Sequence, residues 1–215
     1  MINAKIRIHF ILEGYEENAL FELIEHFYKK DNIEMTYKNC EGGGTVPAFY
    51  QDALASDDYD LIYCVYDVDF KPNDNKAMYK IIRAGLFKVL GDENEVDKVS
   101  LCTNPNTLLL ILLGYTNLSN LLEIKADKKS NTKLISKYCE KIGNKKDYDA
   151  SDWQLELFKN DYLYNNIASF DKMFESCEAI NEDYKGEIVG SNALPIIRAL
   201  IMGDYDFFER IMKGE

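Results

Sequence analysis

The chain has 215 residues, 47% hydrophobic and 29% charged, with 12 Gly, 4 Pro and a mean hydropathy of -0.31, which argues against a disordered chain, a collagen-like repeat and a small disulfide-dependent scaffold. The 25 basic and 37 acidic residues leave a net charge of -12, which opposes indiscriminate phosphate binding over the whole surface. No apolar run reaches the ~18 residues of a membrane span, so no membrane association is expected.

In chain order, Ala4 to Leu12 is β-rich and almost continuously apolar, the pattern of a strand covered on both faces. The N-terminus has neither a basic leader nor a small-residue cleavage site and does not read as a signal peptide. Glu16 to Lys30 predicts an amphipathic helix, with Ala19, Leu20 and Ile24 on its apolar stripe. Ile33 to Asn39 predicts a second strand, followed by a turn at Gly42-Gly43-Gly44. A helix is expected over Thr45 to Ser56, with Thr45 as cap and Pro47 in the first turn. Asp60 to Tyr66 is a third buried strand, ending in Asp67-Val68-Asp69. Lys76 to Leu90 then reads as a helix, Lys98 to Cys102 as a short strand and Asn106 to Tyr115 as an apolar helix.

This βαβαβαβα order predicts an α/β fold, a mostly parallel Rossmann-like sheet flanked by helices. A soft boundary falls near residue 116. Residues 1–116 form the expected α/β domain and 117–215 a helical C-terminal region packed on it, with its last helix over Ala193 to Lys213. The five cysteines are scattered and never spaced CxxC, which fits reduced thiols and a cytoplasmic location better than a disulfide framework or a zinc site. Any metal should therefore have oxygen ligands.

Candidate chemistry lies at the carboxyl ends of the strands, where open α/β sheets bind ligands. Glu13 follows the first strand, Gly14 turns the backbone and leaves little bulk beside it, and Glu17 lies one helical turn on. Asp67 and Asp69, two residues apart in an extended chain, project to one side. Such carboxylates repel one another unless a divalent cation neutralises them, and Mg²⁺ suits this donor type. Acidic residues at βα turns also serve simply as helix caps or solvated loop ends. Between Lys125 and Lys146, eight lysines against Asp127 and Glu140 give a local +6 in an acidic chain. Lys133, Lys137 and Lys141 form one helical row, either a docking line for a nucleic acid backbone or a solvated face. Lys71, Lys76 and Arg83 are further cations just downstream of Asp69.

The sequence "EGYEEN" after the first strand and "VYDVDF" after the third resemble the two signature motifs of the Toprim domain, the metal-dependent catalytic domain of topoisomerases, primases and OLD-type nucleases. Over roughly residues 5–115 the arrangement looks most like the RloB-like proteins, small bacterial Toprim proteins found with ATPase partners in phage-defence modules. Thr103-Asn104-Pro105 corresponds to their S-N-P element but lacks the aromatic-acidic pair that follows it there. The resemblance implies phosphodiester hydrolysis of RNA or DNA with Mg²⁺ or Mn²⁺. It makes Asp67 and Asp69 metal ligands, Glu13 a ligand or general base, and Glu17 a second-metal or outer ligand. The altered third element keeps a second reading open, a Toprim-like module that binds nucleic acid or protein without catalysis.

Overall fold

The structure is a computed structural model and describes residues 5–68, 76–104 and 190–215. Four parallel strands, β1 (Ile6–Leu12), β2 (Ile33–Asn39), β3 (Leu61–Asp67) and β4 (Ser100–Asn104), form the sheet. A two-residue strand, β5 (Gly190–Ser191), adds to it antiparallel, in the spatial order β2-β1-β3-β4-β5. Helix α1 (Tyr15–Tyr28) links β1 to β2, and α2 (Val46–Ser56) returns across β1 to β3. Between β3 and β4 lie α3 (Met78–Leu90) and α4 (Glu93–Val99), and the chain ends in α5 (Leu194–Met202) and α6 (Tyr205–Lys213). This is an α/β, Rossmann-like architecture with C-terminal helices.

Successive strand residues face opposite layers, and β1 shows both. Phe10 packs its ring on Phe21 of α1, with centroids 4.3 Å apart. Ile11 points the other way, into a core shared with Val46 and Tyr50 of α2, Ile82 and Leu86 of α3 and Val96 of α4. Helix α1 and the α5 that packs on it therefore cover one face, and α2, α3 and α4 the other. Two glycines permit the second layer to close. A Cβ on Gly85 of α3 would overlap Pro47 of α2, and one on Gly43 would overlap Met78 and lie 2.8 Å from Ile82 Cδ1.

Several boundaries differ from expectation for local reasons. Asp92 caps a short helix, α4, by accepting from the Asn94 amide at 2.9 Å, which displaces the start of β4 from Lys98 to Ser100. Thr45 precedes α2 but does not cap it: its hydroxyl reaches back to the Cys40 and Gly42 carbonyls, both at 3.3 Å. The single C-terminal helix expected over Ala193 to Lys213 is two helices. Gly203, at φ 67°, ends the first, and Asp204 caps the second through the Phe207 amide at 3.0 Å. The helix expected over Asn106 to Tyr115 lies outside the described residues.

Candidate metal centre

Because β1 sends its chain through α1 to β2 on one side, while β3 lies on the other, the crevice between the carboxyl ends of β1 and β3 is the topological switch point of the sheet. Acidic residues from two segments meet there. Asp67 is the last residue of β3, on the same strand face as Tyr63 and Val65. Glu16 and Glu17 belong to the first turn of α1. Glu17 shares a helical stripe with Leu20, Phe21 and Ile24, the side that packs on the sheet, so its carboxylate is carried inward at only 2% exposure. Asp67 is 9% exposed.

One carboxylate oxygen from each of Glu16, Glu17 and Asp67 can be chosen so that all three lie within 4.8 Å of one another. Three oxygens all at that 4.8 Å limit lie about 2.8 Å from their common centre, so each would move inward by up to about 0.7 Å to reach a Mg²⁺ and about 0.4 Å to reach a Ca²⁺. The donors are all oxygens, which excludes a thiolate-type site for this cluster. This acidic cluster can bind a metal ion.

Glu13 stands beside the cluster and also ties its strands together. Its Oε2 accepts the Asp67 backbone N–H at 3.0 Å, tying the end of β1 to the end of β3. Its own N–H donates to the Val65 carbonyl at 2.9 Å, and its carbonyl accepts from Gly42 at 2.7 Å. Burial pushes the thiols of Cys40 and Cys102 up to about 11, and the negative charge of Glu13 adds a smaller upward push to both. Glu17 has a structural task too, since its Oε2 accepts the Gly14 N–H at 2.9 Å and closes the first turn of α1. Gly14 is not in a left-handed turn. Its φ of -158° is extended, and a Cβ there would sit 3.6 Å from Glu17 Oε2, an ordinary contact.

Of the residues singled out in the sequence, the structure therefore brings Glu17 and Asp67 together and places Glu13 against the Asp67 backbone. Asp69, Lys71, Lys133, Lys137 and Lys141 lie outside the described residues. Lys76 is exposed ahead of α3. Arg83 is engaged elsewhere: Nη2 bonds Glu93 at 2.9 Å and Asp97 at 2.7 Å, so its charge serves the α3–α4 junction. Glu16 was not anticipated. "EEN" supplies two adjacent carboxylates, and only the phase of α1 decides which of them reach Asp67.

Compared with known proteins, the chain matches no family model, no curated protein and no solved structure. Among the described residues no helix is long and apolar enough to cross a membrane.

Proposed function

We propose that the chain is a Toprim-like, Mg²⁺- or Mn²⁺-dependent nuclease that hydrolyses RNA or DNA phosphodiesters, acting in the cytoplasm as the effector of an antiphage module with an ATPase partner. The observation that carries this reading is the convergence of Glu16, Glu17 and Asp67 at the switch point between β1 and β3. The motif resemblance around Glu13, Glu17, Asp67 and Asp69 supports it independently of geometry. Glu16, Glu17 and Asp67 would hold the cation, with Asp69 as a further ligand. A divalent ion held there would polarise a phosphodiester and lower the pKa of an attacking water. Glu13 fixes the backbone of Asp67 through its 3.0 Å bond and so sets where that carboxylate stands. The Lys133, Lys137 and Lys141 row would dock the nucleic acid backbone.

The structural duties of Glu13 and Glu17 favour one alternative, a non-catalytic module in which the acidic edge only holds the β1–β3 junction together. The full chain incubated with tRNA, total RNA, single-stranded DNA and duplex DNA, in Mg²⁺, Mn²⁺ or chelator, separates the two. The nuclease reading expects cleavage of at least one substrate with metal, none in chelator, and none by Asp67→Asn or Glu17→Gln. Absence of cleavage on every substrate, or cleavage that survives chelation, overturns it. Nucleic acid binding that is indifferent to metal and to these substitutions belongs to the alternative.

A further inference from the structure

Among the described residues, strand β4 has β3 on one edge and on the other only the two-residue β5, with Gly190 and Ser191 opposite Asn104 and Thr103. Asn192 engages that outer edge through both its side chain and its backbone. Asn192 Oδ1 accepts the Cys102 N–H at 2.6 Å, and its Nδ2 donates to the Ser100 carbonyl at 2.9 Å. The Asn192 backbone N–H adds a bond to the Cys102 carbonyl at 3.2 Å. Ser191 Oγ also donates to that carbonyl at 3.2 Å and lies 3.0 Å from the Thr103 hydroxyl. A carboxamide thus imitates a strand residue, offering a donor and an acceptor to one exposed backbone edge.

The inner edge of the same short strand touches the carboxylate site. Thr103 is the register partner of Asp67, and its carbonyl accepts the Val68 N–H at 2.9 Å. The peptide after Asp67 is therefore held by β4, while the Asp67 N–H is held by Glu13. Since β4 has only five residues and short strands are held by few bonds, freeing its outer edge loosens Thr103 and with it the Asp67–Val68 peptide.

We propose that Asn192 is a positioning residue for Asp67: the C-terminal segment, through one carboxamide on the outer edge of β4, fixes the carboxylate at the end of β3. The consequence for metal affinity rests on the proposed metal site, whereas the positioning itself does not. The test is amide hydrogen exchange on Asn192→Ala, paired with calorimetric titration of Mn²⁺ alone. We expect the Val68 amide to exchange at least about tenfold faster while the β1–β2 amides keep their rates, and Mn²⁺ binding to weaken roughly tenfold, as outer-shell changes do at metal sites. Asn192→Asp keeps the acceptor for Cys102 but loses the donor to Ser100, and falls between the two. It is also the fallback should Asn192→Ala not fold.

Phe208→Leu is the control: it destabilises the same C-terminal segment from a buried position in α6, which packs on α5, and should leave Val68 exchange and Mn²⁺ affinity unchanged relative to the rest of the chain. Uniform acceleration across the sheet, unchanged Val68 exchange, or equal Mn²⁺ affinity in Asn192→Ala and wild type overturns the proposal. If wild type itself takes up no Mn²⁺, the metal reading fails, and the exchange arm alone still decides whether Asn192 positions Asp67.

Discussion

Two regions of the molecule gather carboxylates, and they do so in different ways. On the α3–α4 surface, Glu93 and Asp97 bracket the guanidinium of Arg83 at 2.9 and 2.7 Å, with both acids more than 60% exposed. At the carboxyl edge of β1 and β3, Glu16, Glu17 and Asp67 bring oxygens within 4.8 Å while Glu17 and Asp67 are nearly buried. The first arrangement sits in water, where its charges are screened and contribute little either way. The second concentrates like charge where screening is weakest, at the one position of the sheet where open α/β proteins bind ligands. What distinguishes a site from a decorated surface is thus the combination of sign, burial and place in the topology.

The comparison can be sharpened first by removing charge from the buried cluster. Two unit charges at that spacing repel by roughly 3 kcal/mol at an effective dielectric of about 20. Asp67→Asn should therefore stabilise the chelator-treated protein by about 2 kcal/mol, a rise in melting temperature of roughly 4–8 °C for a chain of this size. A fall of similar size would mean that the cluster is a structural network and not a repulsive one.

Gly85→Ala tests whether the two regions are mechanically separate. Alanine normally favours a helix interior by up to ~1 kcal/mol over glycine, but here its Cβ would meet the rigid ring of Pro47, 2.8 Å from Pro47 Cβ. We expect a net loss of about 1–2 kcal/mol in chemical denaturation as α2 and α3 are forced apart. Divalent metal affinity should not change, because α1 and Asp67 lie on the other layer. A gain in stability would show that α2 and α3 separate without cost.

Arg83→Gln should have a smaller effect, a loss of no more than about 1 kcal/mol that shrinks further in high salt. Loss of several kcal/mol, or of metal binding, would erase the contrast between the two regions. The smallest effect is expected in the middle of β1. His9 of β1, hydrogen-bonded to Thr36 at 2.7 Å and stacked on Tyr59, has its pKa lowered by burial. The unfolded chain then binds a proton near pH 6.5 that the native state refuses, so this contribution is constant above that pH and declines as pH falls below it. Melting curves between pH 7.5 and 5 should be steeper for wild type than for His9→Gln, and parallel curves would count against the assignment.

The strands carried most of the legible information. The runs ending at Leu12 and Tyr66 are largely apolar because helices cover both faces of the central strands, whereas β2, at the sheet edge, alternates apolar Ile33, Met35 and Tyr37 with polar Glu34, Thr36 and Lys38, and both patterns exist before any fold does. Helix α4 escaped because seven residues with one buried side chain, Val96, have no measurable period. Strand β5 escaped because two residues have no alternation at all, and the bonds that hold it come from Asn192 and Ser191, some 90 residues away from β4 in sequence. The Gly203-Asp204 break carried an ordinary stop-and-cap signal that the apolar periodicity on either side concealed. In the site, Asp67 and Glu17 were visible as strand-end and helix-start acids. Glu16 was not, since a shift of one residue turns a helix by about 100° and only packing of Leu20, Phe21 and Ile24 on the sheet sets that angle.

The most direct test of the central claim, that the β1–β3 edge is a metal centre, is calorimetric titration of the metal-free full chain with Mn²⁺ and Mg²⁺. The account predicts saturable binding at this site in wild type, a loss of at least about 100-fold in affinity in Glu17→Gln and in Asp67→Asn, and no change in Arg83→Gln. Absence of saturable binding in wild type, or equal affinity in all four proteins, would contradict it.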